Sequence, residues 1–225
     1  SEGTAGIINI VLKKNKSKGF GSSVQVTTGI PDNHALGYNV NYKNKKINIF
    51  SDLRYRYIYF PGNESTSRTI YDGNVIDSYL DGTVDRERTN RTFTAYMGGD
   101  YYFNDKNMIT LSYFYRNNTS RRTVDYAFNY LDENRNPERN VNAKEAYREP
   151  QTANQIELNY IKTFAKEGQK FTINLQYDFW NDDENESIAE QEFFPVALPV
   201  RALKSRNIES SKDFLFQSDY SLPIN

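Results

Sequence analysis

Thr92-Phe93-Thr94-Ala95-Tyr96-Met97-Gly98-Gly99-Asp100-Tyr101-Tyr102-Phe103 alternates apolar and polar side chains over twelve residues. Phe93, Ala95, Met97, Tyr101 and Phe103 fall on one face; Thr92, Thr94, Tyr96, Gly98, Asp100 and Tyr102 fall on the other. Successive side chains of an extended chain point to opposite sides, so an alternation this long predicts a strand with one apolar and one polar face.

The same period recurs along the chain. Phe20, Val24 and Val26 oppose Gly21, Ser23, Gln25 and Thr27, and Leu36, Tyr38, Val40 and Tyr42 oppose Gly37, Asn39 and Asn41. Ile47, Ile49, Leu53, Tyr55, Tyr57 and Tyr59 oppose Asn48, Asp52, Arg54 and Arg56. Ile109, Leu111, Tyr113 and Tyr115 oppose Thr110, Ser112 and Arg116. Ile156, Leu158, Tyr160 and Phe164 oppose Glu157, Asn159 and Thr163. Phe171, Ile173, Leu175, Tyr177 and Phe179 oppose Thr172, Asn174, Gln176, Asp178 and Trp180, and Phe214, Phe216, Tyr220 and Leu222 oppose Gln217, Asp219 and Ser221. With the 92–103 stretch these make eight amphipathic strands, preceded by a strand-like run from Gly6 to Leu12. No comparable helical period is present, so the expected class is all-β.

The connections carry a second signal. Lys43 to Lys46, Asn104 to Lys106 and Ala165 to Gln169 read as tight turns. Between them lie polar stretches at 61–88, 118–150 and 181–207, expected to be long loops. Only the first strand pair departs from this alternation, with a short turn near Pro31-Asp32-Asn33. In an antiparallel meander, alternate connections lie at opposite ends, so one end is trimmed and the other elaborated. Alternating strands of about ten residues with this asymmetry predict an up-and-down meander forming part of a transmembrane β-barrel.

That architecture accounts for an odd composition. The 225 residues are only 37% hydrophobic, with a mean hydropathy of -0.80, yet they include 18 Tyr, 14 Phe and one Trp. A wall solvated by lipid on one face and water on the other needs no large apolar core. Tyr55, Tyr57, Tyr59 and Phe60 have the character of an interfacial girdle. No run of about 18 apolar residues predicts a spanning helix. The net charge of -1 gives no support to nucleic acid as a partner. The absence of cysteine excludes disulfides and thiolate metal sites, and one histidine excludes a two-histidine metal site.

Glu2-Gly3-Thr4-Ala5-Gly6-Ile7-Ile8-Asn9-Ile10-Val11-Leu12-Lys13-Lys14 resembles the end of the plug domain of TonB-dependent outer-membrane receptors. Asp100-Tyr101-Tyr102-Phe103-Asn104-Asp105-Lys106-Asn107 and Gln217-Ser218-Asp219-Tyr220-Ser221-Leu222-Pro223-Ile224 resemble turn and strand segments of the barrel type common in Bacteroidetes. The resemblance implies that residues 1–18 are the end of a plug and its linker, and residues 19–225 about eight strands of a 22-strand barrel. It implies a bacterial outer-membrane location among outer-membrane lipid. The implied activity is capture of a small-molecule, glycan or peptide ligand by outer loops and energised uptake through the plugged barrel. Implied partners are a TonB-type energising protein and a surface lipoprotein. Two rival readings are a complete eight-stranded barrel acting as an adhesin or structural protein, and a soluble all-β glycan-binding domain.

Candidate ligand residues are the charged positions on the predicted lumen face: Asp52, Arg54, Arg56, Asp100, Arg116 and Asp178. They line a substrate path, meet a plug, or simply keep the wall wet and paired. His34 reads as solvated surface in a short loop. Asp182, Asp183, Glu184 and Glu186 read as a charge run in a long loop, not a known calcium-loop spacing. No catalytic constellation, metal site or cofactor-binding motif emerges, and the chain is not read as an enzyme.

Overall fold

The computed structural model describes residues 19–223; the plug-like stretch and linker at 1–18 lie outside the described residues. Eight strands follow one another as β1 (Gly19–Thr27), β2 (Asn33–Lys43), β3 (Ile47–Asp72), β4 (Val75–Asn104), β5 (Asn107–Asp132), β6 (Pro137–Thr163), β7 (Lys170–Phe194) and β8 (Arg201–Ser221). They form one sheet in sequence order, every neighbouring pair antiparallel: an all-β up-and-down meander. The sheet is open, with β1 and β8 each paired on one side only among the described residues.

Register joins the eight separate alternations into two continuous faces. Directly opposed residues of an antiparallel pair share a face. Val24 opposes Tyr38, Tyr38 opposes Leu53, Leu53 opposes Ala95 and Ala95 opposes Tyr115. Tyr113 opposes Ile156, Ile156 opposes Tyr177 and Tyr177 opposes Phe214. Apolar residues from all eight strands therefore form one band, the apolar face, while Phe50, Tyr96 and Phe114 lie on the other side. From Tyr101 to Phe93 the band runs about 27 Å along β4 at the usual rise per residue. Gly98 belongs to the opposite, polar face, where it lets the Phe50 ring lie flat across the strand: a Cβ there would sit 2.6 Å from that ring and 2.7 Å from the Leu111 carbonyl oxygen.

The three polar stretches expected as long loops are instead paired strand. Residues 61–72 of β3 run against 75–87 of β4, 118–131 of β5 against 137–151 of β6, and 181–190 of β7 against 201–210 of β8. Their backbone groups are satisfied across each hairpin, so polar side chains on both faces are no obstacle. The true turns are short. Gly73, at φ 61°, and Asn74 close the β3–β4 hairpin, as a turn needing left-handed backbone demands. At the β5–β6 turn the Asp132 carboxylate accepts from the backbone N–H of Asn134 (2.9 Å) and Asn136 (2.7 Å). At the opposite end Asn44 and Asn104 cap their turns alike, each side-chain oxygen accepting a backbone N–H two residues on.

Within these arms the hydrophobic phase changes sides. Along β5 the main apolar series is Ile109, Leu111, Tyr113 and Tyr115, then Val124, Tyr126, Phe128 and Tyr130, odd numbers giving way to even, with Met108, Phe114, Ala127 and Leu131 off the series. β5 keeps its register with β4 and β6 through the change; the irregularities lie only at Tyr102/Asn104 and Tyr130/Leu131. Beyond the band the former apolar face carries Thr89, Glu87, Asp85, Arg121, Asp125, Lys144 and Arg148. Val84, Val124 and Val141 are buried on the polar side.

Burial follows the polar face throughout. Val84, Val124, Val141, Ala35, Ser112, Ser120, Glu145 and Asp182 are buried and all lie on it; among the described residues Ala95 is the one buried side chain on the apolar face. Phe20, Val24, Val26, Ile49, Leu111, Ile156, Phe214 and Phe216 stand exposed on the apolar face. In a water-soluble sheet the sheltered side is the apolar one; across the band the order is reversed.

Candidate functional site

All six charged candidates lie on the polar face, but they do not form one site. Arg54 and Arg116 flank Thr94 from opposite sides, and Arg56 opposes Thr92. These three arginines meet Arg88 around a concavity of about 580 Å³, whose other polar lining includes Asn90, Asn118 and Gln151. The concavity sits at the level where the apolar band ends.

The three aspartates are elsewhere. Asp100 is a fastener of the sheet near the β4–β5 turn. It accepts from Asn48 Nδ2 at 2.9 Å, Thr110 Oγ1 at 2.8 Å and the Tyr102 hydroxyl at 3.2 Å, which ties three strands together. Asp178 accepts from Gln176 Nε2 at 2.6 Å. Asp52 lies between Asn39 and Tyr96, outside the concavity.

Around the concavity and the seam beside it, charge on the polar face is largely segregated, with Asp52, Glu64 and Asp100 on the basic side and Arg139 on the acidic side as exceptions. Arg54, Arg56, Arg86, Arg88, Arg116 and Arg122 come from β3, β4 and β5. Glu145, Glu149, Asp182, Glu184 and Glu186 come from β6 and β7. The seam is stitched at Arg122. Its guanidinium donates to Glu145 Oε1 at 2.8 Å through Nε, and its Nη2 makes a second contact to the same oxygen. The Arg122 guanidinium also lies 3.7 Å from Glu186 and 4.9 Å from the Tyr147 ring centre. Tyr126 donates its hydroxyl to Glu145 Oε2 at 3.1 Å. Glu145, 8% exposed, is thus fully engaged.

Glu149 and Asp182 form the acidic side nearest the concavity. Gln151 Nε2 bridges them, at 2.7 Å from Glu149 and 3.2 Å from Asp182. Burial holds the Glu149 carboxyl above its ordinary range; the Tyr147 hydroxyl opposes the shift, and the Asp182 and Glu184 charges add to it. Burial, then the Glu149 carboxylate that accepts its proton, pushes the Tyr147 phenol up as well.

The acidic run at 182–186 is not in a loop. It lies in β7, and alternation splits it: Asp182, Glu184 and Glu186 face the polar side, while Asp183 faces the other. There Arg206 donates to Asp183 at 2.7 and 2.8 Å and holds that carboxyl below its ordinary range. Among the described residues no group of three or more His, Asp or Glu side chains is placed to hold a metal ion. His34 is likewise in a strand, at the start of β2, with Nδ1 3.0 Å from Thr28 Oγ1.

Arg88 and Glu149 are functional candidates that the sequence does not single out, and Asp182 reads there only as part of a charge run, because each lies inside a stretch expected as loop, where face cannot be assigned. The alternation Val124, Tyr126, Phe128, Tyr130 and the Asp72-Gly73 turn signal were available to extend the strands through them. No helix among the described residues is long and apolar enough to cross a membrane, which says nothing of a strand-built wall. No family model matches this chain, and no curated protein matches it.

Proposed function

We propose that this chain is a stretch of the wall of a bacterial outer-membrane β-barrel, acting in a TonB-dependent receptor that captures a ligand at the outer surface and takes it up through a plugged lumen. The observation that carries the membrane reading is the reversal of hydrophobic phase along uninterrupted strands. Below the reversal, the exposed face is apolar and the sheltered face polar, as lipid outside and water inside require. Above it, the outward face turns polar and small apolar clusters move inside, as water on the outside requires. The length of the band fits: about 27 Å along a strand tilted by about 40° crosses about 21 Å, close to the apolar thickness such barrels present.

The open edges of β1 and β8 support membership in a larger barrel. Each edge presents a row of backbone groups that further strands would pair, and no spanning barrel leaves such groups facing lipid. The receptor reading rests on the plug-like sequence at Glu2 to Lys14. A TonB-type energising protein and a surface lipoprotein are the partners that reading implies. In place of loops, the rigid hairpin arms carrying 61–88, 118–150 and 181–207 form the outer rim and select the ligand.

The test is fractionation of cells producing the protein, followed by electrophoresis of unboiled and boiled samples and a proteolysis time course on whole cells. Outer-membrane sedimentation, heat-dependent mobility and cleavage confined to the arms are expected. Recovery in the soluble fraction would overturn the membrane reading. Uptake that survives collapse of the proton-motive force would overturn the energised-receptor reading alone.

A further inference from the structure

We infer that the concavity formed by Arg54, Arg56, Arg88 and Arg116 is a binding site for a small polyanionic ligand, bearing carboxylate or phosphate groups together with hydroxyls. The placement rests on the polar-face geometry and goes beyond the proposed receptor role.

Most other arginines on the same face are paired; Arg68, further along β3, has no carboxylate within 4 Å among the described residues and stands outside the hollow. Arg86 meets Glu64, Arg122 meets Glu145, Arg139 meets Glu192 and Arg201 meets Glu190. Arg54, Arg56, Arg88 and Arg116 have no carboxylate within 4 Å among the described residues, although they share one hollow. Four like charges gathered with no carboxylate in ion-pair contact repel one another, and the arrangement is relieved when an anion enters. Guanidinium groups suit that role, because their donors match the oxygens of carboxylate and phosphate in pairs.

The hollow also supplies neutral hydrogen-bonding groups. Asn90 lines it, and Asn90 Oδ1 is buried with no hydrogen-bond partner, an acceptor that a ligand hydroxyl satisfies. Glu149 lines the opposite rim, and with Asp182 and Glu184 it bounds the arginine field on the β6–β7 side. A ligand carrying its charge at one end is therefore oriented by the wall.

The experiment is calorimetric titration of the purified protein in detergent with three probes: citrate, tripolyphosphate and the neutral maltotriose. Saturable binding of citrate or tripolyphosphate that weakens as potassium chloride rises is expected, with none for maltotriose. The stronger of the two anions identifies carboxylate or phosphate as the preferred group. Arg54→Gln with Arg116→Gln is expected to weaken anion binding by about tenfold to a hundredfold, the range for lost charge-assisted hydrogen bonds. Arg54→Lys, which keeps the charge and the fold, is expected to lose less, and Arg201→Gln, outside the hollow, to leave affinity unchanged. Absence of saturable anion binding would overturn the inference, as would equal weakening by Arg201→Gln or tighter binding of maltotriose. Anion binding by a protein recovered without detergent would keep this site and discard the membrane reading, so the two failures are separable.

Discussion

Met97→Arg probes the band at its centre. Met97 lies in the middle row of the apolar face, opposed by Ser51 on one side and Tyr113 on the other, and is 42% exposed. If that row sits at the bilayer midplane, the guanidinium must be placed in hydrocarbon, at a cost of about 2–4 kcal/mol. That lowers the folded-to-unfolded ratio roughly 30- to 800-fold. Thr83→Arg is the matched control, on the same face of the same strand. It lies about 48 Å further along at the usual rise, beyond the reversal of phase. In water at an exposed site its cost is within about 0.5 kcal/mol. The assay is urea unfolding of the protein inserted in phosphatidylcholine vesicles, read by the mobility of unboiled samples. Equal costs for the two substitutions, or a Met97→Arg cost within about 0.5 kcal/mol, would refute the assignment of this face to lipid.

Glu145→Ala is expected to cost about 1.5–3 kcal/mol by urea unfolding, because it strips Arg122 and Tyr126 of a buried acceptor. Glu64→Ala, at the exposed pair with Arg86, is expected to cost no more than about 1 kcal/mol. Gly98→Ala must displace Phe50 or the β5 backbone and is expected to destabilise by about 1–3 kcal/mol; an unchanged urea midpoint would contradict the close approach. Glu149 holds its proton more tightly when folded than when unfolded, so its contribution to stability falls as pH rises from the unfolded value through the raised folded one. Glu149→Gln is therefore expected to be more stable than the parent at neutral pH and to lose that advantage near pH 4; a pH-independent difference would refute the shift.

Much of the fold was legible from alternation alone. The eight strands, their order and their two faces follow from residues such as Phe171, Ile173, Leu175, Tyr177 and Phe179, because period two has no other structural meaning over so many residues. The ends of the strands were not legible in the same way. Residues 118–150 are polar, and polarity was read as loop although Val124, Tyr126, Phe128 and Tyr130 keep strict alternation on the opposite face. The error has a physical source: the apolar side changes face along the strand, so a search for one fixed face stops at the change. Arg54, Arg56 and Arg116 were correctly placed on the polar face. Their gathering with Arg88 was not legible, because it depends on inter-strand register, which no single strand carries. The aspartates show the converse: Asp100 shares that face, yet its hydrogen bonds to Asn48, Thr110 and Tyr102 make it a fastener of the sheet.

The central claim is tested most directly by a cysteine scan of β5 from Asn107 to Tyr130, for which the absence of native cysteine in this chain provides a clean background. Each variant is spin-labelled in native outer membrane, and its collision rates with oxygen and with a water-soluble nickel chelate are compared. Oxygen-favoured collisions are expected at Ile109, Leu111, Tyr113 and Tyr115, with the chelate favoured at Thr110, Ser112 and Arg116. Beyond Asn117 the oxygen preference is lost and the outward positions Thr119, Arg121 and Thr123 meet the chelate freely. Chelate-favoured collisions at Leu111 and Tyr113, or an oxygen-favoured period continuing unchanged to Asp125, would contradict it.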